Sequence, residues 1–182
     1  MGELAEHLGK RGVQNMLYGL AIGQLQRSAA RYSGMLSGGA MRLELGFDAK
    51  RGAIRKQVVL TRADGSETSR SVSQLSGGEW RRLALALSLA FADFSRGRLG
   101  LSCSYVVFDE VMQHMDAEGQ AAMAHLLRSL PYDTAVVIAH GLASDSLYGA
   151  FDAIDVVEKV GDSSSVRETS ELLVVGPVGV ER

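Results

Sequence analysis

The sequence predicts an α/β fold: a mostly parallel sheet flanked by helices, with an antiparallel hairpin and a long helix ahead of it. Three observations predict it. A glycine-led amphipathic helix begins at Gly77. Two short apolar runs follow, Tyr105–Phe108 and Thr134–Ala139, with a helical stretch between them. Each run ends abruptly in polar residues, Asp109-Glu110 and His140, as buried parallel strands do at their carboxyl edge.

The elements can be justified in order. Residues 3–36 read as helix, because Val13, Leu17, Leu20, Ala21 and Leu25 recur near the 3.6-residue period, with Tyr32 and Leu36 further on. Gly12, Gly19 and Gly23 weaken it by about 1 kcal/mol each relative to Ala, so it depends on packing. Ser37-Gly38-Gly39 is a stop signal. Met41–Phe47 alternates as a strand, Ile54–Thr61 is a second strand, and Asp64-Gly65 turns into an extended piece up to Val72. From Gly77, Trp80, Leu83, Ala84, Leu87, Phe91 and Phe94 are expected on one buried helical face, away from Arg81, Arg82 and Ser88. Residues 117–130 read as helix closed by Pro131, and Ile154–Val160 and Val166–Val175 as further strands.

Composition narrows the class. The 182 residues are 46% hydrophobic and 22% charged, a globular balance unlike that of disordered or collagen-like chains. One cysteine, Cys103, forms no internal disulfide and suits a reducing compartment. The run Leu83–Ala92 is far below the roughly 20 residues that span a bilayer. Residues 1–30 lack the pattern of a secretory signal. A soluble intracellular protein with no membrane partner is expected. The net charge of −2 hides an asymmetry: residues 1–100 hold 15 Lys+Arg against 8 Asp+Glu, and residues 101–182 hold 4 against 13. Such a chain can place a polyanion and a cation in different regions, although segregated solvated faces give the same count.

Three signals carry chemistry. In Leu75-Ser76-Gly77-Gly78-Glu79, two glycines admit close backbone approach, and the N–H groups of a new helix favour an anion such as phosphate. The same residues also fit a plain capping box from Ser76 to Glu79. In Val106-Val107-Phe108-Asp109-Glu110, one strand-end acid can hold Mg²⁺ and the next can orient or deprotonate a water. Adjacent carboxylates are costly without a cation, though a strand end with loop acids is the plainer alternative. His140 ends the next strand, where it could reach a terminal phosphate or serve only structure.

In this order the three signals resemble the ABC-type ATPases over about residues 11–175. Leu75–Glu79 matches the signature motif, Val106–Glu110 the Walker B strand with its catalytic glutamate, His140 the switch histidine, and His114-Met115-Asp116 the D-loop position. Glu79 and Val111 stand where transporters usually carry glutamine and proline. The long first helix and the tail Asp152–Val166 resemble the SMC and SbcC-type repair branch. Leu36-Ser37-Gly38-Gly39 repeats the signature tetrapeptide but precedes a strand and reads as a turn. No Gly-x-x-x-x-Gly-Lys-[Ser/Thr] occurs, and Gly9-Lys10 lacks its flanking residues.

The resemblance implies a P-loop NTPase carboxy-terminal lobe at residues 37–182, with residues 1–36 a helical stub at a coiled-coil exit. It implies ATP and Mg²⁺ as cofactors and hydrolysis only beside an amino-terminal Walker A lobe. Asp109 would hold Mg²⁺, Glu110 position water, and His140 sense the γ-phosphate. Ser76, Gly77, Gly78 and Glu79 would close over ATP on a second head, with Asp116 linking the two sites. Implied partners are that lobe, a second head, DNA and a nuclease subunit. A non-catalytic half-head that binds a partner lobe or DNA, or a fragment of another ABC-type ATPase, is the alternative. Lys50, Arg51, Arg55 and Lys56 could meet DNA phosphates or form a solvated hairpin. Trp80 and Phe91 are expected in the core, and Cys103 as a small buried residue. His7, His114 and His125 lack metal-ligand spacing.

Overall fold

The computed structural model describes residues 10–113, 115–140 and 149–169. Helix α1 (Lys10–Leu36) leads into an antiparallel meander of β1 (Met41–Asp48), β2 (Ala53–Thr61) and β3 (Glu67–Arg70). A 3₁₀ turn at Val72–Gln74 precedes α2 (Gly77–Leu99). Next come β4 (Tyr105–Asp109), α3 (Ala117–Ser129) and β5 (Thr134–Ile138), a parallel crossover unit. The hairpin of β6 (Ile154–Val160) and β7 (Ser163–Thr169) follows.

Helix α1 holds the antiparallel sheet in an unusual way. A strand presents every second residue's N–H and C=O to each side, and β1 has no strand on its outer side. Side chains of α1 and its cap fill that role. Ser33 Oγ accepts from Leu43 N (3.1 Å), and Ser37 Oγ accepts from Met41 N (2.8 Å). Gln26 Nε2 donates to Leu43 O (3.1 Å), and Gln26 Oε1 accepts from Leu45 N. The helix therefore stays against β1 by polar as well as apolar contact.

The first Leu-Ser-Gly-Gly copy is the helix stop. Gly38 and Gly39 take left-handed conformations with φ of 59° and 86°, and Gly39 N donates back to Gly34 O (2.8 Å). In the second copy, Gly77 and Gly78 instead open α2, because Glu79 completes a capping box with Ser76. The residue after the tetrapeptide, Ala40 or Glu79, decides which way it folds.

One apolar cluster joins the layers. Leu25, Ala29, Tyr32 and Leu36 of α1 meet Leu83, Ala86 and Ala90 of α2, Met41, Leu43 and Val58 of the meander, and Met112, Met123 and Leu126 around α3. Burial of Leu25, Tyr32 and Leu36, at about 1.5–3 kcal/mol each, outweighs the roughly 4 kcal/mol lost through the four glycines of α1. Inside the seam, Tyr32 Oη donates to Asp93 Oδ2 (2.8 Å), which also receives Arg31 Nη2 (3.1 Å).

Several expectations need correction. Trp80 and Phe91 are half-exposed, at 50% and 52%, and lie outside the core. The buried stripe of α2 is Leu83, Ala86, Leu89 and Ala90, roughly a third of a turn from Trp80, Ala84 and Phe91. The sequence carries two apolar stripes on this helix, and α1 covers only one. Cys103 is exposed, with Sγ donating to Tyr105 O (3.0 Å). Parallel pairing is confined to β4 and β5 among the described residues. β6 and β7 pair with each other instead, because the two-residue turn Gly161-Asp162, with Gly161 at φ 62°, brings them together at little loop cost. The face of Tyr105, Val107, Val136 and Ile138 lies open on the parallel pair, where such sheets are normally covered on both sides. Residues 3–9, His7, His114 and 170–175 lie outside the described residues. No described helix is long and apolar enough to cross a membrane.

Burial, helped by Asp93, pushes the Tyr32 phenol from 10.0 up to about 12. The folded state thus holds this proton more tightly than the unfolded chain. The resulting stabilisation is full below about pH 10 and is lost as the pH rises towards 12. Tyr32→Phe has no such proton, so its urea midpoint should fall less steeply than the parent's between pH 9.5 and pH 11, about the onset of that window. Parallel midpoint curves for the two proteins would show that the phenol is not held as described.

Candidate functional site

The parallel register decides which residues meet. Asp109 pairs with Ile138, so both strands end at the same level. Glu110 and His140, just beyond those ends, come together with His140 Nε2 3.1 Å from Glu110 Oε1. The glutamate is largely buried, while the histidine is 87% exposed. Glu110 is also the one non-glycine among the described residues with a positive φ, 54°. Holding a side-chain-bearing residue there costs on the order of 1–3 kcal/mol. Two backbone bonds enforce it: Glu110 N donates to Ile138 O (2.9 Å), and Glu110 O accepts from Gln113 N (3.1 Å). The bend turns the acid away from the strand direction. Asp109 remains on the strand with its side chain exposed.

At the start of α2, Glu79 N donates to Ser76 Oγ (3.3 Å) and Ser76 N donates to Glu79 Oε2 (2.7 Å). Hydrogen bonding of the carboxylate to Ser76, first to its backbone N–H and then to its side chain, holds the Glu79 carboxyl below its ordinary value. The box uses the Glu79 N–H, and Gly77 and Gly78 keep first-turn N–H groups without intrahelical partners. No side chain crowds either glycine: a Cβ there would meet nothing within 4 Å. This helix start can therefore take an anion directly on its backbone.

Among the described residues, Ser76–Glu79 share no hydrogen bond or ion pair with Asp109, Glu110 or His140. The start of α2 is tied to α3 instead, through Arg82, which the sequence places only on the polar side of α2. Arg82 Nη2 sits 2.7 Å from Asp116 Oδ1, and its side chain is mostly buried. Asp116 also caps α3, accepting from Gly119 N (2.8 Å). The cap bond, and then Arg82, hold the Asp116 carboxyl below its ordinary value. Gly119 leaves room for this contact, since a Cβ would lie 2.9 Å from Asp116 Oδ1 and 3.1 Å from Arg82 Nη2. The small residue three places after Asp116 was the only hint in the sequence.

No group of three or more His, Cys, Asp or Glu that could cage a metal exists among the described residues. Lys50, Arg51, Arg55 and Lys56 are exposed around the β1–β2 turn, and His125 is an isolated exposed residue on α3.

Comparison with known proteins gives a consistent picture. Residues 50–129 match the family model described as SbcC/RAD50-like, Walker B motif. A solved structure from work on the structural biochemistry of ATP-driven dimerization and DNA stimulated activation of SMC ATPases is 19% identical. It aligns over 86% of this chain and 89% of its own length, with a TM-score of 0.66. An Smc head bound to the C-winged helix domain of ScpA is 21% identical over 81% of this chain and 43% of its own, at a TM-score of 0.60. The SMC head domain from Thermotoga maritima is 19% identical over 88% and 52%, at a TM-score of 0.55. The chain thus spans about half or less of these last two heads. No curated protein sequence matches it significantly. The chain has the fold of an SMC/SbcC-type ABC ATPase head and carries an SbcC/RAD50-like Walker B segment.

Proposed function

We propose that the chain supplies the carboxy-terminal half of an ATP-hydrolysing head. It would act with a lobe that brings the phosphate loop and with a second head across a dimer. The observation that carries this reading is the Glu110–His140 pair. An acid directly after a strand-end aspartate, touched by a histidine just past the neighbouring strand, is suited to activating a water at a phosphate.

Each residue has a task in that reaction. Asp109 would hold the Mg²⁺ carried by ATP, which neutralises phosphate charge when bound. Glu110 accepts a hydrogen bond from the attacking water and takes its proton as the bond to the γ-phosphorus forms and ADP leaves. His140 now occupies Glu110 Oε1. When the imidazole turns to a γ-phosphate oxygen, it frees that carboxylate oxygen for the water. Ser76, Gly77 and Gly78, held in line by Glu79, meet the phosphates of ATP on the opposing head. Asp116, held by Arg82, stands at the head of α3, where it would meet the second head. Catalysis is then chiefly positioning and charge stabilisation.

The likeness to SMC and SbcC/RAD50-like proteins supports a role in DNA double-strand-break repair or chromosome organisation, with DNA and a nuclease subunit as partners. The exposed Val13, Met16, Leu17 and Leu20 on the first half of α1 support reading residues 1–36 as the helix where a coiled coil enters the head. A second reading, a half-head that binds without turnover, is favoured by the absence of a phosphate-loop motif from the sequence and by the open apolar face of β4 and β5.

Two experiments separate these readings. With an amino-terminal lobe supplied, Glu110→Gln should stop hydrolysis, by about 100-fold or more, while ATP-dependent association in sedimentation persists. Ser76→Arg should abolish association itself. Normal ATP-dependent association of Ser76→Arg would reduce Leu75–Glu79 to a helix cap. In the chain on its own, Glu110→Gly should melt above Glu110→Ala, because only glycine accepts φ near 54° without strain. Equal melting temperatures would show that the backbone at Glu110 is not under tension.

A further inference from the structure

We infer that Arg82 is a positioning residue for the association of two heads: it fixes Asp116 at the start of α3 before a second head arrives. The inference rests on the ATPase-head reading above, which alone gives Asp116 a partner. Three features carry it. They are the burial of Arg82, the glycine at position 119, and the oxygen of Asp116 that the contact leaves over.

Stability does not account for the contact. The Arg82 side chain is 18% exposed, whereas Asp116 is 65% exposed. An ion pair whose acid stands in solvent returns little. Burying the guanidinium costs more, because Arg82 Nε is buried and meets no acceptor among the described residues. An unbranched apolar side chain would fill the same place at lower cost. What the charged residue adds is a fixed place for one carboxylate.

Gly119 makes the same choice of position over stability. It lies in the first turn of α3 without a positive φ, so the backbone does not call for glycine, and alanine is the better helix former there. Glycine serves the contact alone. A Cβ would stand 2.9 Å from Asp116 Oδ1, 3.1 Å from Arg82 Nη2 and 3.2 Å from Arg82 Nε. Both the cap bond from Gly119 N and the bond from Arg82 fall on Oδ1, which leaves Oδ2 to a donor on a partner. The start of α2, with Gly77 and Gly78, and the start of α3, with Asp116, are thereby held in one fixed relation. Without Arg82, Asp116 still caps α3, but the first turn of α3 loses its tie to α2. A surface set in advance associates more tightly than one that must be ordered on contact.

The test sets thermal melting of the full chain beside ATP-dependent sedimentation with the amino-terminal lobe. Arg82→Met should melt at or above the parent, because it removes the unmet donor. Its heads should nevertheless associate roughly tenfold more weakly, as when only about a tenth of the molecules hold Asp116 in place. Gly119→Ala, which alters neither charge, should weaken association in the same way. Arg82→Lys keeps the charge of a pair that uses one nitrogen, and should recover most of the affinity. An arginine needed only for folding would show the reverse, a lower melting temperature with association intact below it. The inference is overturned if Arg82→Met melts well below the parent. It is also overturned if Arg82→Met or Gly119→Ala associates as tightly as the parent, or if Arg82→Lys is no better than Arg82→Met. Those results leave the head reading standing. A parent that does not associate with ATP at all overturns that reading, and this inference with it.

Discussion

The hydroxyl of Tyr32 on the carboxylate of Asp93 lies beside the apolar core of the seam, at the point where α1 passes from α2 to the antiparallel sheet. Helix α1 must satisfy both neighbours at once. On one side its serines and Gln26 complete the edge of β1; on the other its leucines and Tyr32 pack α2. Apolar packing alone would let two helices slide by a turn at small cost. A buried phenol with one acceptor cannot slide without losing its partner, and an unmade buried bond costs about 1–3 kcal/mol. The position of α2 is therefore set from α1.

What α2 carries follows from that placement. Its first turn presents Gly77 and Gly78, its second turn holds Arg82 against Asp116, and its last turn carries Arg96 and Arg98. From Arg82 the constraint passes through Asp116 to α3, which packs Met123 and Leu126 into the same core. The acid pair is held differently, by the register of β4 on β5 and two backbone bonds around Glu110. The helix start and the acid pair are thus separately built, and the Arg82–Asp116 ion pair ties the helix start to α3.

Much of this was legible in the sequence because it rests on local chemistry. The helix start at Gly77, the strand ending in Asp109-Glu110, the helix from Ala117 to Pro131 and the glycine stop after Leu36 are each decided within about five residues. What escaped depended on distant partners. Trp80 and Leu83 look equally apolar in the sequence, and only the position of α1 decides that Leu83 is buried. Nothing near Arg82 marks it as the partner of Asp116, 34 residues on. The two last strands were expected at 154–160 and 166–175, but the second begins at Ser163, because a two-residue loop folds it straight back onto β6. Cys103 was expected inside because free cysteines usually are, yet it lies exposed just ahead of β4.

The central proposal is that the amino terminus of α2 meets nucleotide held by a second head. Trp80, the single tryptophan, stands in the first turn of that helix, half-exposed, and reports on it directly. The decisive measurement is acrylamide quenching of Trp80 fluorescence, with a tryptophan-free amino-terminal lobe and either ATP or ADP, on the Glu110→Gln protein. Quenching should fall severalfold with ATP and stay unchanged with ADP, as heads close over the triphosphate and shield the indole. Equal quenching with ATP and ADP, under conditions where the lobe is bound, would contradict the account.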